Sequence, residues 1–124
     1  MTEEHDEEAL IRHFAPLIEK ELAEIEKQTR DTEQDRAPVA LDQQSVGRLS
    51  RMEALQGQAL AKASETRRAR RRTALQMAQR RIREGEYGYC LDCGEPVARQ
   101  RLEVDPAVTL CIACANRADK PKSR

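Results

Sequence analysis

Residues 85–116 read GEYGYCLDCGEPVARQRLEVDPAVTLCIACAN. All four cysteines of the chain lie in this stretch, as two Cys-x-x-Cys pairs, with seventeen residues between Cys93 and Cys111. Such pairs serve as disulfides, as a redox couple, or as ligands of one metal ion. Two residues between cysteines let both sulfurs of a tight turn reach the same ion, and a second pair completes a tetrahedral thiolate shell. The spacing points to one zinc ion on Cys90, Cys93, Cys111 and Cys114. A closed shell has no open position where water could be activated, so the zinc is expected to be structural. It would fold a segment with little core of its own. Gly94, directly after Cys93, suits a chain reversal that aims N–H groups at the thiolates. Arg99 and Arg101 are the expected partners for the net negative charge of a four-thiolate zinc centre.

The rest of the chain has a different composition. Of 124 residues, 39% are hydrophobic and 35% charged, with no Trp, one Phe and two Tyr. That is too little large apolar side chain for a sizeable globular core. Ala, Glu, Arg and Gln dominate, as suits long helices. Ile11, Phe14, Ile18, Leu22 and Ile25 recur at steps of three and four, widened by Leu10 and Leu17, and predict an amphipathic helix that fades near Arg30–Asp35. Pro16 falls inside it and marks either a kink or the start of its stronger part. Between Asp42 and Arg83 there is no proline, and the only glycines are Gly47 and Gly57. This second helix would be roughly 63 Å long if fully formed. Its heptad-compatible positions are Val46, Leu49, Leu60, Ala63, Ala74 and Met77, with Glu53, Gln56, Arg67 and Arg70 in the slots between them.

A short connection holding Pro38 makes the two helices antiparallel neighbours. The expected fold is mainly α: a two-helix coiled-coil hairpin over residues 1–84, with its tip at about 35–45, then a small four-cysteine zinc finger and tail over residues 85–124. With the turn centred near Pro38, residue i faces about 76 − i, which sets Glu3–Glu8 beside Arg67–Arg72. The charge pattern agrees with such pairing. Residues 1–35 carry 12 acids and 4 bases, and residues 36–124 carry 10 acids and 18 bases, so two opposite balances cancel. Arg80, Arg81 and Arg83 run past the acidic segment and would stay free for a partner.

No constellation suggests catalysis. His5 and His13 stand two helical turns apart, too far for one metal. There is no glycine-rich phosphate loop and no nucleophile motif. No enzyme is expected. No run of about 18 apolar residues predicts a membrane span, and the acidic N-terminus has no signal pattern. The expected compartment is the cytosol, where thiols stay reduced.

Through Gly85, Tyr87, Gly88, Cys90, Cys93, Gly94, Arg101, Leu102, Pro106, Cys111 and Cys114, the stretch resembles the DksA/TraR family of bacterial four-cysteine zinc-finger regulators. The long preceding helix is similar too. The resemblance implies a helical hairpin beside a zinc finger, in a protein that binds RNA polymerase rather than DNA. It further implies that the hairpin enters the polymerase's secondary channel, often acting together with ppGpp. The family's tip motif is Asp-x-x-Asp-x-Ala; here DQQSVG keeps Asp42 and has Ser45 and Gly47 at the other two places. Asp42 and Ser45 are therefore the candidate tip residues, and Asp42 also suits a helix cap. Family members that use ppGpp at the finger carry bases where this chain has Asp105 and Ala115, so ppGpp binding there is expected to be weak or absent. Two alternatives stand beside this reading: a nucleic-acid-binding finger that uses the Arg67–Arg83 cluster, and a protein of this shape with another protein partner.

Overall fold

The computed structural model describes residues 6–39 and 48–119. Five helices follow in order: α1 (Glu7–Asp31), the short α2 (Glu33–Arg36), α3 (Arg48–Glu84), α4 (Arg99–Val104) and α5 (Ile112–Asp119). The chain divides into two compact units, Met1–Glu21 with Ala74–Arg124, and Leu22–Thr73. The division does not fall at the hairpin–finger junction.

The first unit holds most of the apolar core. Asp6 caps α1, its Oδ1 accepting the Glu8 N–H at 3.0 Å, which satisfies a donor that the helix start leaves orphaned. The stripe predicted from the sequence is present: Leu10, Phe14 and Ile18 are fully buried. Pro16 lies within the helix. It stands on the exposed side, opposite the stripe. Leu75 and Ala78 of α3 and Tyr87, Val97 and Leu102 of the finger are buried in the same unit. Each large aliphatic or aromatic side chain contributes roughly 1.5–3 kcal/mol by leaving water. The Phe14 ring meets Tyr87 at 6.4 Å and has the Arg99 guanidinium 5.6 Å above it. The Tyr89 hydroxyl donates to Glu7 Oε2 at 2.6 Å, tying the finger to the first turn of α1.

In the second unit, Ile25 is the one buried hydrophobic residue among those described. The pairing of its two helical segments is polar. The Glu65 carboxylate accepts from the Thr29 hydroxyl at 3.0 Å and from Arg68 Nε at 3.0 Å. It also stands 3.4 Å from Arg36 and 3.5 Å from Arg72. Arg72 Nη2 donates to the Thr29 hydroxyl at 3.0 Å. Arg72 Nε lies 3.2 Å from Glu26 but out of line for a hydrogen bond, so that contact is one of charge alone. Arg68 donates to the Thr32 hydroxyl at 3.0 Å, and Gln58 to the Ala37 carbonyl at 2.5 Å.

These pairs correct the expected register. Glu26–Arg72, Thr29–Glu65, Thr32–Arg68 and Ala37–Gln58 have residue numbers summing to between 94 and 100, not to about 76. Pro38 marks the end of the first helical segment and not the midpoint of the reversal. Arg68 and Arg72 therefore meet the stretch 26–32, and Glu7 meets Tyr89 instead of an arginine. Glu3 and Glu4 lie outside the described residues.

The seam of α3 is also displaced. Gln58, Ala61, Glu65, Arg68 and Arg72 are among the partly sheltered positions, as is Ala74 of the expected seam, whereas Leu60 is 71% exposed and Met77 46% exposed. Leu60, Ala63 and Met77, expected in the seam, face solvent. An ion-pair network occupies the place where hydrophobic periodicity looks for leucines.

Candidate metal centre

The four cysteines come from two local structures. Gly85 ends α3 with φ +75°, and the Glu86 N–H turns back to the Arg81 carbonyl at 2.8 Å. This left-handed stop is one that glycine adopts without strain. The chain then pairs briefly with itself: Val97 N–H donates to the Gly88 carbonyl and Cys90 N–H to the Glu95 carbonyl, both at 2.8 Å. Cys90 and Cys93 sit in the loop of this small hairpin. Gly94, at φ +79°, closes the loop by donating to the Cys90 carbonyl at 3.0 Å. The expected N–H contact to a thiolate comes from Asp92, whose N–H lies 3.4 Å from Cys90 Sγ. Cys111 precedes α5 and Cys114 lies in its first turn, with the Ala115 N–H donating to the Cys111 carbonyl at 2.9 Å. The Leu91 N–H bonds to the Thr109 carbonyl at 2.8 Å and brings the two halves together.

The four sulfurs lie within 4.8 Å of one another, and all four are free thiols. Cys93 Sγ and Cys111 Sγ are 3.8 Å apart. Zinc–sulfur bonds of about 2.3 Å in a tetrahedron set neighbouring sulfurs about 3.8 Å apart. The arrangement therefore fits one zinc-sized ion, and the donor set is the soft thiolate type that zinc favours. Burial opposes ionisation of Cys90. The N–H groups of Cys93, Cys111 and Asp92 outweigh it and bring the thiol down to about 6. Burial and the neighbouring thiols Cys111, Cys90 and Cys93 push Cys114 upward. Four thiols packed this closely cannot all ionise on their own, because each thiolate raises the cost of the next. A dication among them removes that cost.

The cation beside the sulfurs is Arg117, which sequence reasoning passed over. Its Nη2 donates to Cys114 Sγ at 3.0 Å and lies 3.9 Å from Asp92. The available signal was its i, i+3 spacing from Cys114 on one helix. Arg99 and Arg101 are engaged elsewhere. Arg99 pairs with Glu103 at 3.1 Å, and Arg101 donates to the Leu110 carbonyl at 2.7 Å. Arg101 thus secures the turn leading into Cys111 and does not face the thiolates.

Asp42 and Ser45 lie outside the described residues, as does His5. His13 is exposed and meets the edge of Phe14 at 4.7 Å. Arg81, expected to be free, is 6% exposed and donates to the Glu86 and Tyr89 carbonyls. Arg80 pairs with Glu84 at 3.0 Å. Asp105 accepts the Ala107 N–H at 3.0 Å. It stands at a groove of about 400 Å³ whose walls include Val104, Val108 and Ile112. The Tyr87 hydroxyl donates to the Pro106 carbonyl at 2.6 Å. Burial first, then the Asp105 charge, holds that phenol protonated well above its ordinary range, against the opposing pull of Arg81.

Residues 85–120 match the family described as the prokaryotic dksA/traR C4-type zinc finger. The RNA polymerase-binding transcription factor DksA of Caulobacter vibrioides (strain NA1000 / CB15N) is 37% identical over 46 residues, which is 37% of this chain and 32% of that protein. The protein of the same name from Buchnera aphidicola subsp. Acyrthosiphon pisum is 33% identical over 45 residues, or 36% of this chain and 30% of that one. These matches span about a third of the length of those curated relatives. Among solved structures, the transcription factor DksA2 from Pseudomonas aeruginosa superposes with a TM-score of 0.57 at 22% identity, covering 91% of this chain and 79% of that one. The likeness to DksA2 is one of fold.

Proposed function

We propose that this chain, a DksA/TraR-family zinc-finger protein, binds RNA polymerase and regulates transcription from within the cytoplasm of a bacterium. It is read as a regulator and not as an enzyme. The observation that carries the reading is the four-sulfur cluster, in a finger of the dksA/traR type, on a chain folded as a helical hairpin. The curated relatives matched over the finger are named RNA polymerase-binding transcription factors.

In this reading Cys90, Cys93, Cys111 and Cys114 hold one zinc ion. When bound, it supplies a closed thiolate shell that fixes the finger's fold and offers no position for a reacting water. The finger in turn packs on the first half of α1 through Phe14, Tyr87 and Tyr89. The hairpin tip, with Asp42 and Ser45, enters the secondary channel of the polymerase. Asp42 brings the one acidic side chain kept from the family's tip motif. The action does not depend on ppGpp at the finger. Asp105 places a carboxylate, already used to cap a turn, on the wall of the groove that Arg101 also lines, and that carboxylate does not suit a polyphosphate.

The nucleic-acid reading draws less support. Within Arg67–Arg83, Arg68 and Arg72 are committed to the Glu65 network, Arg81 is buried, and Arg80 is paired. Half of the cluster's eight arginines are thus engaged within the protein, and stacking aromatics are nearly absent.

The test is binding to core polymerase, followed by transcription in vitro. Asp42→Asn removes the charge and keeps the side chain's size and its ability to accept a hydrogen bond. It is expected to bind core polymerase as wild type does and to lose its effect on transcription. Added ppGpp is expected to change neither protein's effect. Wild-type protein with no affinity for core polymerase would overturn the reading in favour of another protein partner.

A further inference from the structure

Three arginines stand near the end of α3, and one of them turns inward. The Arg80 side chain is 61% exposed and pairs with Glu84 of its own helix. Arg83 is exposed. Arg81 is buried, at 6% exposure. Burying a guanidinium costs free energy unless its donors are answered. Arg81 Nη2 donates to the Glu86 carbonyl at 3.2 Å and to the Tyr89 carbonyl. Its Nε is buried with no hydrogen-bond partner among the described residues. An unmet buried donor carries a cost that an aliphatic side chain would not. Shelter from water therefore does not account for an arginine here, whereas the two carbonyls do.

Both carbonyls belong to the segment that leads into the first cysteine. The Arg81 main-chain carbonyl accepts the Glu86 N–H at 2.8 Å, so Arg81 holds Glu86 through its backbone and its side chain together. Tyr89 directly precedes Cys90. The peptide between them is held at both ends: its oxygen accepts from Arg81, and its N–H donates to the Glu95 carbonyl at 2.8 Å. The Cys90 carbonyl in turn accepts from Gly94 at 3.0 Å. A planar peptide fixed at its oxygen and its nitrogen cannot turn, so the direction in which Cys90 leaves the backbone is set from α3. The second pair is placed by bonds within the finger. Ala115 N–H donates to the Cys111 carbonyl, and Arg101 to the Leu110 carbonyl.

We propose that Arg81 is a positioning residue of the metal centre: from α3 its guanidinium fixes the peptide before Cys90 and so aims that sulfur at the ion. Retention of the ion then depends on a side chain of the helical hairpin and not on the finger alone. The inference rests on the reading of the four cysteines as one zinc site. Groups that orient a metal ligand change metal affinity by about 10–100-fold when they are removed.

The full chain is loaded with zinc, its affinity is read by chelator competition, and alkylation of each cysteine in the loaded protein is followed by mass spectrometry. Arg81→Lys keeps the charge, but the lysine nitrogen ends one bond short of Nη2. It is expected to weaken zinc affinity by about tenfold or more. Cys90 should alkylate about tenfold faster or more, while Cys111 and Cys114 stay protected. Arg81→Met removes both bonds and should shift both readouts at least as far; should it fail to fold, Arg81→Lys decides. Phe14→Ala is the control. It weakens the same unit from a fully buried position, and whatever alkylation it allows should fall on all four cysteines alike. Wild-type affinity in Arg81→Lys overturns the inference. So does a loss of affinity in which the four cysteines alkylate together, as in Phe14→Ala, because that marks a role in the fold alone. Wild-type protein that takes up no zinc overturns the metal reading and this inference with it, whereas Arg81 variants equal to a zinc-bearing wild type overturn the inference only.

Discussion

Replacing Glu65 by Gln removes one charge and almost no volume, at the centre of a unit that has almost no apolar core. The carboxylate faces the Arg36, Arg68 and Arg72 guanidiniums within 3.5 Å and accepts from the Thr29 hydroxyl. The amide can keep one or two of these hydrogen bonds. It cannot neutralise three guanidiniums held together by two helices. Breaking a fully buried ion pair by removing one partner costs about 3–5 kcal/mol. Glu65 is 21% exposed, so water offsets part of that, and about 2 kcal/mol is the expected loss. Ile25 is the only buried hydrophobic described in this unit, so little else holds the two segments together. Amide hydrogen exchange reads the effect directly, because local opening is measured residue by residue. Amides of α3 around residues 58–72 are expected to exchange about 30-fold faster in Glu65→Gln, since each 1.36 kcal/mol is a factor of ten. Amides that report on Leu75, Tyr87 and Leu102 should change little. The same carboxylate predicts a pH dependence. Burial raises its pKa, but the Arg68 and Thr29 hydrogen bonds and the Arg36 charge win, and the net shift is downward. A depressed carboxylate pKa gives stability that is present above the unfolded-state value and lost as pH falls through the folded one. Wild-type protection in residues 58–72 should therefore decline on acidification, and Glu65→Gln should show a flatter profile. Equal exchange in the two proteins at neutral pH would refute the network's role.

Three further outcomes are expected. Cys93→Ser should lower bound zinc well below one equivalent per chain by metal analysis and unfold the finger while most helical circular dichroism remains. A structural zinc supplies on the order of 10 kcal/mol to units of this size. Phe14→Ala should cost about 3–5 kcal/mol in denaturant unfolding, because Phe14 is fully buried and carries the contacts to Tyr87 and Arg99. Arg117→Ala should leave the fold intact and weaken zinc affinity in chelator competition by about tenfold, as groups that bond to a ligand atom do.

The finger was legible in the sequence because its information is local. Two Cys-x-x-Cys turns, glycines at positive φ after α3 and after Cys93, and a helix starting at Ile112 shape each sulfur pair through contacts within a few residues. The α1 stripe was legible for a related reason. Its apolar side chains at steps of three and four have one buried face available, and Leu10, Phe14 and Ile18 occupy it. The pairing of α1 with α3 was not legible. Hydrophobic periodicity locates a seam only where the seam is apolar, and here Gln58, Glu65, Arg68 and Arg72 fill it. Such residues read in sequence as a solvated face, so Leu60 and Met77 drew the seam to the wrong side of the helix. The register failed with it: a polar seam has no apolar steps to align, and Pro38 was the only remaining marker of the reversal. Arg117 was hidden for a geometric reason. Its neighbour Cys114 is near in sequence, but only the direction of α5 decides that its guanidinium, and not that of Arg99 or Arg101, reaches a sulfur. Spacing alone thus determined the helical fold class and singled out the four cysteines that the structure brings together, since short loops leave the chain few choices. Tertiary structure decided which charges are spent inside the protein, because a charge's partner depends on the register of two helices far apart in sequence.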